Sequence, residues 1–251
     1  MSIQGQNAHI ASFAVVPAPY IADQATAEEF MRNHYSDRLN SGSLSLSDAV
    51  FSHPSIKKRH FAVERIETLV DEDPDAHITR FMHWSVELSA QAIQKAMAKA
   101  GANVSDVTGL VVNTCTGYIC PGISTYLLEK LGLSRTIRTY DLVGSGCGGA
   151  IPNLQVAESL LGKNGDGLVG SASVEICSAT LQVDNDVSLI VSNALFGDGA
   201  AAAVLSNRPK GLELVASAGR YVPEQRDAIR YVHKNGQLHN QLSLGTASIG
   251  K

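Results

Sequence analysis

From Leu110 onward, short apolar runs alternate with segments of helical period, and this alternation limits the available folds more than any other feature of the sequence. Leu110-Val-Val-Asn113 reads as a buried strand, a Gly- and Pro-punctuated loop follows through Pro121-Gly122, and Ser124 to Leu131 carries a helix stopped by Gly132. Ile137 to Val143 reads as a further strand, followed by the turn Gly144-Ser-Gly-Cys-Gly-Gly149 and a helical pattern from Ile151 to Leu161. Leu168 to Val174 then reads as a strand, Val187 to Leu195 as a helix and Ala200 to Leu205 as a strand. Such spacing predicts parallel β-α-β units in an α/β layered domain. Upstream, Ile78 to Ala100 is rich in helix formers and is closed by Gly101; Leu88, Ala92 and Ala96 recur beside Val86, Ile93 and Met97 on a wide apolar face. Residues 1–60 show no strong period, and Ser41 to Ser47 with Pro54 reads as a loop or an exposed helix-loop region. Turn residues cluster at Asn207 to Gly211; beyond them Leu212 to Ala218 reads as a strand, and Arg220 to Ser243 is too polar to complete a domain. The expected organisation is a domain over 1–206 that carries the cysteine turn, and the start of a second over 207–251.

A chain of 251 residues that is 44% hydrophobic can bury a substantial core, which excludes disorder. Its 20 basic and 24 acidic side chains leave no cationic field for nucleic acid or anionic lipid, and Lys57-Lys58-Arg59 is too short a cluster to supply one. No apolar run approaches the roughly 20 residues that span a bilayer. Ile10 to Ile21 is interrupted by Pro17 and Pro19 and has no basic segment before it, so no secretory leader is expected and the chain is placed in the cytoplasm. Four cysteines, at 115, 120, 147 and 177, suit a reducing compartment. Cys115 and Cys120 lack a second ligand pair at zinc spacing, so no metal is expected.

Gly144, Gly146 and Gly149 satisfy G-x-G-x-x-G between a strand and a helix, but two strand-helix elements precede them and Glu175 lies further on than a ribose-binding acid should. A plain tight turn is the simpler alternative. Cys147 gives the turn a third reading. Glycines on both sides allow close approach of a substrate, and a helix start supplies free N–H groups and a partial positive charge that favour a thiolate. A thiolate there is a nucleophile, and the same N–H groups suit an oxyanion on the acyl group it attacks. Pro152 predicts a kinked first turn.

Three motifs stand in order: Cys115-Thr-Gly-Tyr-Ile-Cys-Pro-Gly122, Gly146-Cys-Gly-Gly-Ala150 and Asn193-Ala-Leu-Phe-Gly-Asp-Gly-Ala-Ala201. With Ile56-Lys-Lys-Arg-His60 ahead of them, the chain resembles the type III polyketide synthases, the chalcone and stilbene synthase family of the thiolase fold, from about residue 10 to about residue 243. The last of the three motifs favours that family over the ketoacyl-ACP synthases. The resemblance implies a homodimeric acyltransferase that loads an acyl group from acyl-CoA onto Cys147 and extends it by decarboxylative condensation with malonyl-CoA, with CoA thioesters as substrates and no further cofactor. It places Cys115, Thr116, Glu175, Cys177 and Thr180 on the wall of the initiation and elongation pocket, Phe196 as an aromatic gate, and Cys120 where one subunit reaches into its neighbour's cavity. Each cysteine, and Phe196, is also an ordinary packing residue in the absence of the resemblance.

The resemblance further implies a His and an Asn in the C-terminal half that act with the cysteine, and neither motif is found. His233 and His239 lie in a polar segment and are read as surface residues. Ser47, Val50 and Pro54 stand where the family carries basic groups for CoA phosphates, leaving Lys57, Lys58 and Arg59 as the nearest substitutes. The expectation is therefore a thiolase-like fold whose N-terminal half is complete and whose C-terminal half is only begun. Apolar surface would be exposed, activity impaired, and the tail Gly245 to Lys251 off the family pattern. The alternatives are an inactive fragment or accessory subunit of such a synthase, or a ketoacyl-ACP synthase-like enzyme.

Overall fold

The computed structural model describes residues 8–70, 73–162, 167–234 and 236–242. In chain order the elements are β1 (His9–Pro17), β2 (Tyr20–Asp23), α1 (Gln24–Tyr35), α2 (Ser41–Phe51), β3 (Lys58–Phe61), α3 (Pro74–Ala100), β4 (Val107–Thr114) and α4 (Ile123–Leu131). They continue with β5 (Arg138–Val143), α5 (Ala150–Leu160), β6 (Leu168–Glu175), α6 (Val187–Leu195), β7 (Gly199–Ser206), β8 (Leu212–Glu213), β9 (Ile229–Lys234) and β10 (Gln237–Leu242). Two compact units share the described chain in alternation. The first takes the residues up to Pro17, Phe81–Glu175 and Gly199–Gly219; the second takes Ala18–Arg80, Ile176–Asp198 and those from Arg220 onward.

The first unit is built on one sheet in the order β5-β4-β6-β7-β1-β8. Its interior strand β4 is buried at every residue but Thr108, and the unbroken apolar run Leu110-Val-Val suits a strand covered on both faces. β5, β4 and β6 run parallel, as the spacing of strands and helices predicts. β7 runs antiparallel to β6, against that prediction. The chain leaves the unit after Glu175 and returns at Gly199, so it makes no short crossover of the kind that forces parallel pairing. On one face, Ala157 and Leu160 of α5 pack with Val111, Val169 and Leu205. α3 lies along the other face of β1, where Ser12 Oγ donates to the Ala96 carbonyl at 2.6 Å, and Leu88, Ala92 and Ala96 are buried as the periodicity requires. Gly101 and Gly132 close α3 and α4 at φ of 69° and 64°, where a Cβ would be strained. Phe13 and Val15, alternating with buried Ala14 and Val16 along β1, remain 59% and 65% exposed.

In the second unit, residues that show no strong period form the β2–β3 ladder and two helices, and Ser41 to Ser47, read as a loop or an exposed helix-loop region, opens α2; β1 belongs to the first unit. Asp23 caps α1 by accepting from Thr26 N–H, and Asn40 caps α2 by accepting from Ser43 N–H. Phe30, Met31, Tyr35, Phe51, Phe61, Val63, Ile66, Leu69 and Ala194 form its core. One expectation is revised: Leu212 to Ala218 yields only the two-residue β8. The polar stretch after Arg220 forms the β9–β10 hairpin. That hairpin is held to α6 by Asn240 Nδ2 donating to Ser192 Oγ at 2.9 Å and by His239 Nε2, 3.3 Å from Asp186 Oδ2. His233 is exposed as expected, whereas His239 is buried, with Nε2 against Asp186, the N-cap residue of α6, and Nδ1 buried without a hydrogen-bond partner among the described residues. The tail Gly245 to Lys251 lies outside the described residues. No helix among those described is long and apolar enough to cross a membrane.

Arg59, one of the three cations offered above as CoA-phosphate partners, is buried in this core. Its Nε donates to Gln24 Oε1 at 2.9 Å, and its Nη1 to the carbonyls of Asn193 and Phe196 at 2.6 and 2.9 Å. The guanidinium lies over the Phe61 ring at 4.9 Å. Burial lowers its pKa to about 10, partly offset by the charge of Asp198, so it remains a cation at neutral pH. Only Lys57 and Lys58 of the run face solvent. Replacing Arg59 with Ala strands two buried carbonyls and the Gln24 amide oxygen, and is expected to cost about 3 kcal/mol of folding stability. Arg59→Lys is expected to recover less than half, since an ammonium cannot present the planar fork. Denaturant unfolding checks this; a loss below about 1 kcal/mol for the Ala variant would refute a structural role.

Candidate active site

The parallel register sets three chain reversals at one edge of the sheet. Thr114 of β4 pairs with Val143 of β5, and Asn113 pairs with Ser173 of β6, so all three strands end together at their carboxyl side. Open α/β sheets bind ligands at such an edge. Cys115 and Thr116 follow β4, Glu175 ends β6, and the glycine-rich turn follows β5.

That turn takes the conformation its glycines permit. Gly144 and Gly146 have φ of 88° and 57°, Gly146–Gly148 forms a 3₁₀ turn, and α5 begins at Ala150. Pro152 falls in the first turn of α5, where its missing N–H costs no helical hydrogen bond; the predicted irregularity is the 3₁₀ turn before it. Cys147 is exposed at the tip. Beneath it lies a polar cluster that sequence reasoning did not single out. Asn153 of α5, with no exposed surface, donates through Nδ2 to Asn113 Oδ1 and to the Ala172 carbonyl, each at 2.7 Å, and accepts from Ser171 Oγ at 2.7 Å. Ser173 Oγ donates to the same Asn113 oxygen at 2.6 Å. A Cβ on Gly149 would come within 2.7 Å of Asn113 Nδ2, so only glycine lets the turn approach β4 this closely. The signal available in the sequence was the break in apolar pattern at Asn113 and at Asn153, both on inward positions.

Glu175 organises the β4 side. Its carboxylate accepts from the Cys115 N–H at 3.0 Å, from Thr116 Oγ1 at 2.9 Å and from Thr114 Oγ1 at 3.3 Å. The half-buried Cys115 thiol lies within hydrogen-bonding reach of Cys147, and the two share their protons unequally. The bond from Cys115 lowers the Cys147 thiol from its ordinary value to about 6; partial burial and the Glu175 charge act against this, and the backbone N–H of Cys147 assists it. The same bond raises Cys115, reinforced by burial and by Glu175 beside it. One sulfur is thus a thiolate at neutral pH and the other its donor.

The structure brings together Cys115, Thr116, Glu175 and Cys147. Cys120 is exposed at the far end of the same loop, before a cis peptide to Pro121, and the start of α4 there is anchored by Ser124 donating through N–H and Oγ to Asp141. Cys177, Thr180 and Phe196 belong to the second unit. Cys177–Thr180 forms a 3₁₀ turn in which Thr180 Oγ1 donates to the Cys177 carbonyl at 2.9 Å, and Phe196 caps the C-terminus of α6.

The model of the FAE1/Type III polyketide synthase-like protein family matches residues 22–216, more than half of the chain. The chain belongs to this family. Relatives of this chain include a 3,5-dihydroxyphenylacetyl-CoA synthase of Streptomyces toyocaensis, 29% identical over 86% of this chain and 58% of that protein. Another is the acylalkylpyrone synthase csyB of Aspergillus oryzae, 30% identical over 82% of this chain and 54% of that one. The chain therefore spans little more than half the length of these two relatives. Among solved structures, PKS-I from the brown alga Ectocarpus siliculosus superposes with a TM-score of 0.86 at 24% identity, covering 99% of this chain and 70% of that one. The 1,3,6,8-tetrahydroxynaphthalene synthase of Streptomyces coelicolor A3(2) gives 0.82 at 22% identity, over 96% and 69%. The thiolase-like α/β fold of these synthases is the fold of this chain.

The electrostatics set opposite signs for two substitutions. Peptide-resolved alkylation of Cys147 by iodoacetamide should follow thiolate formation, with a midpoint near pH 6. Cys115→Ala should move that midpoint up by removing the donor, and Glu175→Gln should move it down by removing the opposing charge. Unchanged midpoints in both variants would show that neither group acts on Cys147.

Proposed function

We propose that this chain accepts acyl groups from acyl-CoA thioesters on Cys147. The observation that carries the reading is the exposed Cys147 on a glycine-rich turn at the carboxyl edge of the sheet, before the start of α5, with its thiol pKa lowered toward neutrality. Its sulfur attacks the thioester carbonyl, a new C–S bond forms, the bond to the CoA sulfur breaks, and the departing CoA thiolate takes a proton from solvent. The N–H groups of the turn and of the α5 start suit the negative charge that develops on the carbonyl oxygen. Thr116 and Cys115, set by Glu175, form the wall beside the acyl carbon. The family resemblance gives Cys177, Thr180 and Phe196 of the second unit wall and gate roles, and gives Cys120 a reach into a neighbouring subunit of a homodimer in the cytoplasm.

Extension by decarboxylation of malonyl-CoA is the second half of the proposed reaction and makes a different demand. Loss of CO2 leaves an enolate that needs donors on its oxygen. Among the described residues, Cys115, Glu175 and the cysteine's own backbone act on Cys147, with no imidazole among them. Loading is therefore expected to proceed and extension to be impaired in these residues alone. Intact-protein mass spectrometry after incubation with a medium-chain acyl-CoA should show one added acyl group that is absent from Cys147→Ala; equal acylation of the variant would remove the assignment. Radiolabelled malonyl-CoA added to the loaded protein should give little or no condensation product, and rapid product formation would refute the impairment.

A further inference from the structure

The second unit holds a cleft that neither the sequence motifs nor the proposed acyl transfer uses. Its volume is about 350 Å³, inside the range of small-molecule sites, and every residue that lines it belongs to that unit. The end of α1 and the 3₁₀ turn after it supply Tyr35 and Arg38, the segment ahead of α6 supplies Leu181 and Asp184, and the β9–β10 hairpin supplies Lys234 and His239. None of these is a residue that the family resemblance assigns to the acyl pocket. We propose that the cleft binds a small hydroxylated carboxylic acid, with its carboxylate on Arg38 and Lys234 and its hydroxyl on His239 or Asp184.

Three observations support this. The first is the placement of the charges. The Arg38 guanidinium carbon lies over the Tyr35 ring, 5.2 Å from its centre, and a guanidinium carried on an aromatic face keeps its N–H donors for acceptors at its edge, where a carboxylate can be gripped by two of them. Lys234 Nζ is 3.8 Å from Asp184 Oδ2, a contact too long to be a hydrogen bond, so it uses none of the three ammonium donors. Among the lining residues Asp184 offsets one of two permanent cations, which suits a singly charged carboxylate better than a doubly charged phosphate ester. The second is the apolar part of the wall: Leu181 and Val183, packed on the core of the unit, give the hydrocarbon body of the acid a surface to cover. The third is an orphaned polar atom. His239 is 3% exposed, and its Nε2 faces the Asp186 carboxylate, which can only accept; Nε2 therefore carries the proton and Nδ1 of the neutral ring is an acceptor. That Nδ1 is buried without a hydrogen-bond partner among the described residues. Buried polar atoms in native proteins are nearly always paired, and an unpaired one on a residue lining a cleft points to a polar group bound there.

The test is calorimetric titration of the full chain with 4-hydroxybenzoate, benzoate, methyl 4-hydroxybenzoate and phenyl phosphate. Saturable binding of 4-hydroxybenzoate is expected, one molecule per chain, with a Kd below about 1 mM. Benzoate, which lacks the hydroxyl, and the methyl ester, which lacks the charge, should each bind about tenfold more weakly or worse. Arg38→Ala should weaken binding of the acid by a similar factor, and Cys147→Ala should bind it as the wild-type chain does, because the cleft makes no use of that sulfur. Absence of saturation up to about 10 mM would overturn the proposal. So would equal binding of the ester or of benzoate, tighter binding of phenyl phosphate, or undiminished binding by Arg38→Ala. If Arg38→Ala does not fold, Lys234→Ala, a change to an exposed side chain of the hairpin, decides the location in the same way. The proposal does not rest on the acyl-acceptor reading: acylation of Cys147 is followed by mass on separate samples, and neither result bears on the other.

Discussion

The hydrogen bond from Asn153 to Asn113 is the constraint on which the reactive edge depends. A fully buried amide is costly unless all its polar atoms are paired, and here the Asn153 amide is paired with two strands at once, through Asn113 and Ala172 on one side and Ser171 on the other. The pairing ties the first turns of α5 to β4 and β6. Apolar contacts further along the helix, at Ala157 and Leu160, bury its face but do not set its axial position; directional bonds do. Because Gly149 stands against Asn113, fixing the helix start also fixes the turn that displays Cys147. Precise placement of Cys147, the proposed nucleophile, on its glycine-rich turn thus comes from polar groups packed against that turn.

The same edge separates two cysteines that the sequence presents as equals. Both sit after parallel strands, and both are close to Glu175. Cys115 is half-buried and its N–H is already bonded to that carboxylate, so a second negative charge on its sulfur would face Glu175 at close range with little solvent to screen it. Cys147 lies farther out, with Cys115 as a donor and its own backbone N–H for support. The proton accordingly stays on Cys115. A carboxylate beside a thiol suppresses its ionisation, and Glu175 raises the pKa of both sulfurs; the inner sulfur, as the largest influence on the outer one, favours charge there.

How far the sequence revealed all this depends on where each signal was local. Alternation of strands and helices after Leu110, the stops at Gly101 and Gly132, and the turn around Cys147 are written in consecutive residues and are found where they were expected. β1 was hidden because its two faces differ little in polarity: Phe13 and Val15 look as apolar as the buried Ala14 and Val16, which blurs the two-residue period. The direction of β7 is set by a chain that leaves the unit and returns, a property of topology that no window of residues contains. Asn113, Asn153 and His239 looked like breaks in pattern or surface groups because their partners lie 18 to 60 positions away in sequence.

Arg59 shows the same limit in reverse, and it links the basic run to the gate residue. Within Lys57-Lys58-Arg59 the three cations seem interchangeable, yet strand alternation along β3 turns Arg59 into the core while Lys58 faces water. There the guanidinium bonds to the carbonyls of Asn193 and Phe196, the last turn of α6 and its cap. A helix C-terminus presents orphan carbonyls, and a buried cation satisfies them more strongly than a neutral donor would. The backbone of Phe196 is thereby pinned at its own carbonyl, and a Cβ on the next residue, Gly197, would approach the His60 carbonyl to 3.1 Å, which limits movement on that side as well. An aromatic proposed to gate a pocket therefore moves chiefly through its side-chain torsions, on a backbone anchored by a charge that sequence composition alone would have assigned to a phosphate.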